Sequence, residues 1–323
     1  MSNGTIIEDP VRFPSGMKAL ADSLHNRNLL FGVYTSATSL TCQKRPGTYG
    51  FEAIDVQRYC EYGVDYLKVD NCGGTRYPQA NESWIPIRDA IEKCVSLGGR
   101  RQTLSVEYCH ANSSDDCEAW IGKLADLWRT TGDVQANFAS FMSNLDLNNE
   151  NAVAMSPGKY NDPDLLVVNL PGLSVMESQT QFSAWALVAA PMLLSFDVTQ
   201  QISPEILQII TNSEVIAVSQ DAAQIQGVRV SEAAPSGVEC WARPLSPPQS
   251  VILDNLGSQY ISALLVNRGD EKMNATCTWT QLGLSGSATV RDLYAHRDLG
   301  AFDGEFSVIL DPHESLLVSM IGT

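Results

Sequence analysis

Tyr66-Leu-Lys-Val-Asp-Asn-Cys72 and Trp128-Arg-Thr-Thr-Gly-Asp133 each read as a short β-strand closing on an acid, Asp70 in the first run and Asp133 in the second. When a strand ends in an acid and a helix follows, the acid projects from the carboxyl end of the sheet, where α/β folds gather their chemistry. Two carboxyl groups delivered there can divide the roles of nucleophile and proton donor at a sugar bond. An acid ahead of a helix also serves as its N-cap, so the pair alone leaves both uses open.

Outward from these runs, β-like and α-like segments alternate, the pattern of a parallel sheet covered by helices. Strands are expected over 29–34, 65–70, 103–108, 126–131, 163–168 and 192–196, and helices over 16–25, 51–63, 84–97, 114–125, 134–145 and 177–189. Further helices near 203–211 and 213–219 end the series. Six strands fit an open doubly wound sheet, whereas a closed (β/α)8 barrel takes eight, so the count alone leaves both architectures standing. From about Ile225 the texture changes to short alternating segments with Pro, Gly and Ser breaks: Gly227–Val230, Gly237–Arg243, Ser262–Asn267 and Phe306–Leu310. These read as an antiparallel β-sandwich. The expected division is 1–224 for the α/β part and 225–323 for the sandwich.

A chain of 323 residues with 44% hydrophobic content is long enough for two domains with real cores. A net charge of −16 and no basic run beyond Arg100-Arg101 argue against nucleic acid as a partner. The eight cysteines form no Cys-x-x-Cys pair of the zinc or redox kind, so disulfides are expected. Glycosylation sequons at Asn3, Asn81, Asn112 and Asn274 join them in favouring an oxidising, secretory compartment. Met1–Pro10 does not read as a signal peptide. The most apolar stretch, Phe182 to Val198, is interrupted by Pro191 and falls short of a membrane span.

Seven runs, in order and across both parts, resemble glycoside hydrolase family 27, the α-galactosidase and α-N-acetylgalactosaminidase family of clan D. They are Asp9-Pro-Val-Arg-Phe-Pro-Ser-Gly16, Gly32-Val-Tyr34 with Leu40-Thr-Cys42, Gly63–Cys72, Trp128–Asp133, Asn161-Asp-Pro-Asp164, Ala184-Trp-Ala-Leu187 with Ala190-Pro191, and Val290–Leu299. The resemblance implies a TIM barrel, here incomplete with six strands recognisable, followed by the β-sandwich domain. It implies Asp70 as nucleophile and Asp133 as general acid/base of a retaining mechanism. The two roles ask for opposite protonation states. Lys68, two residues before Asp70 and so on the same strand face, is placed to favour the ionised form there. Arg129 resembles the family's ligand of sugar hydroxyls, Tyr34 a contact at an earlier strand end, and Asp162 a pocket contact. Asp164 is the other acid of that motif. Cys42 and Cys72 match a family disulfide. Cys109 with Cys117, and Cys240 with Cys277, are candidate pairs, while Cys60 and Cys94 either pair or stay buried as small hydrophobes.

Where many relatives read Cys-Glu-Trp, this chain has Val106-Glu107-Tyr108. The large acid Glu107 resembles the version that reads galactose, since the N-acetylgalactosaminidases carry a small residue that admits the acetamide. The family's first two strands, with a Trp-Asn motif and a paired Asp-Asp for the 4- and 6-hydroxyls, have no counterpart here. About 60 residues are therefore expected before Met1, and the 323 residues alone are expected to fold poorly. The expected function is cleavage of terminal α-D-galactosyl residues. The alternatives are an α-N-acetylgalactosaminidase, a β-L-arabinopyranosidase, or an inactive carbohydrate-binding protein. No cofactor and no metal are expected. The partner is an α-galactoside sugar, with no nucleic acid and no membrane span, and a homodimer is left open. A secreted, lysosomal or vacuolar location is expected for the full-length protein.

Overall fold

A computed structural model describes residues 6–77, 80–107, 120–231, 237–247 and 259–322. The chain forms two compact units, Met1–Arg129 and Thr130–Thr323. The first runs α1 (Met17–His25), β1 (Gly32–Ser36), α2 (Glu52–Tyr62), β2 (Tyr66–Asp70), α3 (Ala80–Ser96), β3 (Thr103–Val106), α4 (Ile121–Leu124) and β4 (Leu127–Arg129). Strands β1 to β4 lie side by side in chain order and all parallel, with Tyr34 opposite Lys68 and Lys68 opposite Ser105. Val69 pairs with Val106, and Val106 with Trp128.

Each strand sends alternate side chains to opposite faces. In β2, Leu67 and Val69 are fully buried, which turns Tyr66, Lys68 and Asp70 the other way. The buried faces of the flanking helices carry Val56 and Tyr59 on α2 and Ile87, Ile91 and Cys94 on α3. A Cys60–Cys94 disulfide ties α2 to α3, deciding the question the sequence left open. α2 stops at Gly63, whose φ of 81° is a left-handed cap that only glycine adopts without strain.

The amino ends of β2 and β4 repeat one device. Asp65 accepts from the Phe31 backbone N–H, from Arg100 and from His25, and Asp126 accepts from the Leu104 N–H and from Arg101. Acids at this edge are spent on holding neighbouring strands, which leaves the carboxyl edge for chemistry.

The second unit runs α5 (Phe138–Glu150), β5 (Tyr160–Asp162), α6 (Val175–Leu187), α7 (Pro204–Ile210) and α8 (Ser213–Ser219). It continues through β6 (Val228–Arg229), β7 (Val238–Pro244), β8 (Gln259–Asn267), β9 (Met273–Thr278), α9 (Trp279–Leu282), β10 (Ser287–Asp292), β11 (Arg297–Asp303), β12 (Glu305–Leu310) and β13 (Ser315–Gly322). An antiparallel six-stranded sheet has the order β11-β10-β13-β8-β7-β6, and β12 pairs with β9 as a second sheet. The central strands β13, β8 and β7 of the six-stranded sheet are buried on both faces. Leu264, Val266, Trp241 and Leu317 pack with Phe141, Trp185 and Ile206 of the helices, while Ile261, Ala263, Leu265, Ala242 and Val318 pack with Ala275, Phe306 and Leu310 of the second sheet. The Cys240–Cys277 disulfide joins the two sheets.

This shared core explains why the compact units part after Arg129, while the texture of the sequence changes only near 225. Two strand expectations are corrected. The strand expected at 163–168 lies at Tyr160–Asp162, because Pro163 has no N–H to donate and Asp164 takes a left-handed φ of 83°. The strand expected at 192–196 is reduced to a single parallel bridge between Leu166 and Leu194. Among the described residues, no helix is long and apolar enough to cross a membrane.

Candidate active site

The parallel register of the first unit sets three strand ends level. Asp70 is the last residue of β2, Glu107 directly follows β3, and Arg129 is the last residue of β4. The Glu107 N–H donates to the Val69 carbonyl at 3.1 Å, which extends the β2–β3 ladder by one step beside Asp70. Arg129 reaches Glu107 at 2.9 Å, and Lys68 approaches the same carboxylate at 3.4 Å. Arg129 is 2% exposed, so its guanidinium depends on protein partners, Glu107 among them, rather than on water. One acid thus organises two cations.

Asp70 receives two donors of its own. The Tyr34 hydroxyl donates to Oδ2 at 2.5 Å, and the Asn71 backbone N–H to Oδ1 at 2.7 Å. Tyr34 stands opposite Lys68 on β1, so adjacent strands supply both side chains. Burial, and then the bond to Asp70, push the Tyr34 phenol well above its usual range.

A disulfide closes against this pair. Cys42 bonds to Cys72, Cys72 Sγ lies 3.3 Å from the Tyr34 hydroxyl, and Cys42 Sγ lies 3.7 Å from Asp70 Oδ2. Leu40 bridges both Pro46 and Gly73, folding the β1–α2 loop onto the segment after β2. Gly47 permits that fold, because a Cβ there would meet the Thr38 carbonyl oxygen at 2.0 Å. In the same unit a cavity of about 780 Å³ has Tyr34, Thr41, Gln43, Arg45 and Arg12 on its wall. Ile7, Phe13 and Tyr59 line it as well, and of the cluster around Asp70 it takes in Tyr34 but not Lys68, Asp70, Glu107 or Arg129. Cys42, Asp70 and Cys72 are close enough to suggest metal ligation, but both sulfurs are committed to the disulfide and are not thiolates.

In the second unit Asp133 is exposed on the turn before α5. The next residue, Val134, donates its N–H to Asp164 Oδ2 at 2.8 Å, and Asp164 N–H donates to Asp162 Oδ1 at 2.9 Å. The Trp185 indole N–H fixes the Asp164 carbonyl. Asp162 and Asp164 are buried, whereas Asp133 is presented to solvent. The sequence reading missed the organiser of this turn. Asn144 of α5 lies within 3.0 to 3.1 Å of Thr131 Oγ1, the Gly132 carbonyl and the Pro163 carbonyl, and so joins the turn carrying Asp133 to the one carrying Asp162. Its signal is a polar residue among Phe141, Met142 and Leu145 on the buried face of α5.

Tyr34, Lys68, Asp70, Glu107, Arg129 and the Cys42–Cys72 disulfide are therefore one cluster in the first unit, and Asp133 with Asp162 a second in the other. Cys109, Cys117, Tyr108, Asn3 and Asn112 lie outside the described residues. The Asn274 sequon is exposed on β9.

The family model described as Alpha galactosidase A matches residues 1–221, and the one described as Alpha galactosidase C-terminal beta sandwich domain matches residues 235–320. An alpha-galactosidase of Oryza sativa subsp. japonica is 36% identical over 316 residues, 97% of this chain and 70% of the rice protein. An alpha-N-acetylgalactosaminidase of Gallus gallus is 31% identical over 331 residues, 96% of this chain and 76% of its own length. The crystal structure of alpha-galactosidase I from Mortierella vinacea superposes with a TM-score of 0.86 at 27% identity, covering 99% of this chain and 83% of that one.

Proposed function

This chain belongs to the alpha-galactosidase family, glycoside hydrolase family 27, and from that premise we propose that it cleaves terminal α-D-galactosyl residues with retention of configuration, through a covalent intermediate on Asp70. It is a hydrolase acting on α-galactosides. In the proposed mechanism an Asp70 oxygen attacks the anomeric carbon while Asp133 protonates the departing oxygen. Asp133 then takes a proton from the water that releases the sugar. Arg129 and Lys68, both held by Glu107, bind ring hydroxyls, and Tyr34 keeps Asp70 in its attacking rotamer. Asp162 serves the pocket from the turn that Asn144 joins to the one carrying Asp133.

The observation that carries this reading is the state of Asp70. Among the described residues, Asp70 ends β2 with neutral donors at both oxygens, from Tyr34 and from Asn71, while Glu107 beside it is engaged by Lys68 and Arg129. Two neutral donors orient the Asp70 carboxyl group toward a single attacking oxygen, whereas the Glu107 carboxylate positions two cations.

Glu107 also favours galactose over N-acetylgalactosamine. An acid engaged by both Lys68 and Arg129 fills the space that a 2-acetamido group needs. We assign residues 1–224 to the catalytic part and 225–323 to the sandwich. A secreted or vacuolar protein is consistent with the three disulfides of the described residues and the exposed Asn274 sequon. The test compares chromogenic α-galactoside, α-N-acetylgalactosaminide and β-L-arabinopyranoside substrates. Turnover is expected on the first, and faster turnover on either other sugar overturns the assignment. Following the first-formed anomer by NMR tests retention, with an inverted product contradicting the covalent step.

A further inference from the structure

We propose that reducing the Cys42–Cys72 disulfide converts the rim of the site into a zinc-binding site made of Cys42, Cys72 and Asp70, in which the metal occupies the acid used for attack. The effect on turnover rests on the reading of Asp70 given above, whereas metal binding does not.

Three ligand atoms already converge. One sulfur or oxygen atom from each of Cys42, Asp70 and Cys72 lies within 4.8 Å of the other two, and Cys42 Sγ is 3.7 Å from Asp70 Oδ2. In a tetrahedral zinc site, with Zn–S near 2.3 Å and Zn–O near 2.0 Å, a sulfur and an oxygen ligand stand about 3.5 Å apart. The Asp70–Cys42 spacing therefore fits. The two sulfurs, bonded while oxidised, need only separate to the spacing of two thiolate ligands, and the loops that carry them are held together independently by the Leu40–Gly73 bridge and the Ala37 N–H to Asp70 carbonyl bond. Two thiolates and a carboxylate, with a fourth position open to water, are a donor set that zinc accepts.

Access separates this disulfide from the others among the described residues. Cys42 is exposed, whereas Cys94, Cys240 and Cys277 are fully buried. A water-soluble trialkylphosphine reaches it first. The phosphine attacks one sulfur, the S–S bond breaks, and water delivers oxygen to phosphorus, so that phosphine oxide and two thiols form as phosphorus is oxidised and sulfur reduced. Zinc then displaces the two thiol protons as it binds.

The test uses the intact chain, the phosphine and zinc chloride alone. Calorimetry on the reduced protein is expected to find one tight zinc equivalent that the oxidised protein lacks, together with loss of most α-galactosidase turnover, restored by a chelator. The Cys42→Ser/Cys72→Ser double variant is expected to lose the site. Asp70→Asn, which keeps both thiols, is expected to weaken binding by at least the roughly tenfold that loss of an outer-shell partner costs. Equal zinc binding by oxidised and reduced protein, or unchanged affinity in Asp70→Asn, overturns the proposal. Zinc bound at these three residues with turnover undiminished leaves the metal site standing and contradicts Asp70 as nucleophile.

Discussion

The Tyr34 hydroxyl donates to Asp70 Oδ2 at 2.5 Å, across the register that sets β1 beside β2. Burial first, and the Asp70 bond second, raise the phenol above its ordinary value near 10. The hydroxyl therefore remains a donor throughout neutral and mildly alkaline solution. Tyr34→Phe removes one hydrogen bond to a charged acceptor, a loss of about 1.5–3 kcal/mol. A fall in kcat of roughly 10- to 100-fold is expected, with KM little changed. The parent enzyme's alkaline limb should not move in this variant. A variant with parental kcat removes Tyr34 from the positioning of Asp70.

Asp133 is separable from Asp70 by leaving group. Asp133→Ala should lose roughly 10²- to 10⁴-fold on an alkyl α-galactoside, whose departing oxygen needs a proton, and much less on a nitrophenyl one. Steady-state rates on both substrates check this. Equal losses on the two contradict a proton-donor role.

Glu107 holds Arg129 and Lys68 together, and Arg129 has almost no water to fall back on. Glu107→Gln keeps the volume and removes the charge that Arg129 and Lys68 share, at a cost of at most about 3 kcal/mol. Urea midpoints should fall accordingly, and KM should rise as the two cations lose their aim. A variant as stable as the parent shows that the pair contributes little.

Asp55 of α2 is fully buried. Its Oδ1 accepts from the Ile6 N–H, but its Oδ2 meets no donor, and burial, with Glu52 nearby, pushes the carboxyl up to about 6. Because the folded value exceeds the unfolded one near 4, the folded state binds this proton more tightly. The stability it supplies is complete below pH 4 and is lost as pH rises through 6. The stability difference between parent and Asp55→Asn should therefore shift by at most about 3 kcal/mol between pH 4 and pH 7, in the variant's favour at pH 7. Urea titrations at the two values measure it, and a difference independent of pH contradicts the burial argument.

What was legible in the sequence follows from how local its cause is. Strand β2 with Asp70, and β4 four residues before Asp133, announce themselves because an apolar alternation and the acid that ends it sit within a few residues. The Glu107 partnership with Lys68 and Arg129 was not legible, since it depends on the register of three strands far apart in the chain. Asn144 was hidden for a related reason. Its three oxygen partners come from two turns that only the fold brings together. The strand expected at 163–168 starts three and ends six residues beyond β5, because the apolar run after Pro163 reads as a strand, whereas Pro163 and the left-handed Asp164 end one. In the sandwich, β7 and β8 were recognised from their apolar runs. The polar alternation of β9 (Met273-Asn-Ala-Thr-Cys-Thr278) is not among the strands read from the sequence, because what makes it a strand is its pairing with the distant β12.

Trapping the glycosyl-enzyme tests the central claim most directly. Incubation with a 5-fluoro-α-galactosyl fluoride, followed by proteolysis and mass spectrometry, should place the sugar on Asp70 within Tyr66–Cys72, with no label in Asp70→Asn. A sugar found on Glu107 or Asp133, or an enzyme that turns over the reagent without ever becoming labelled, would contradict Asp70 as the attacking group.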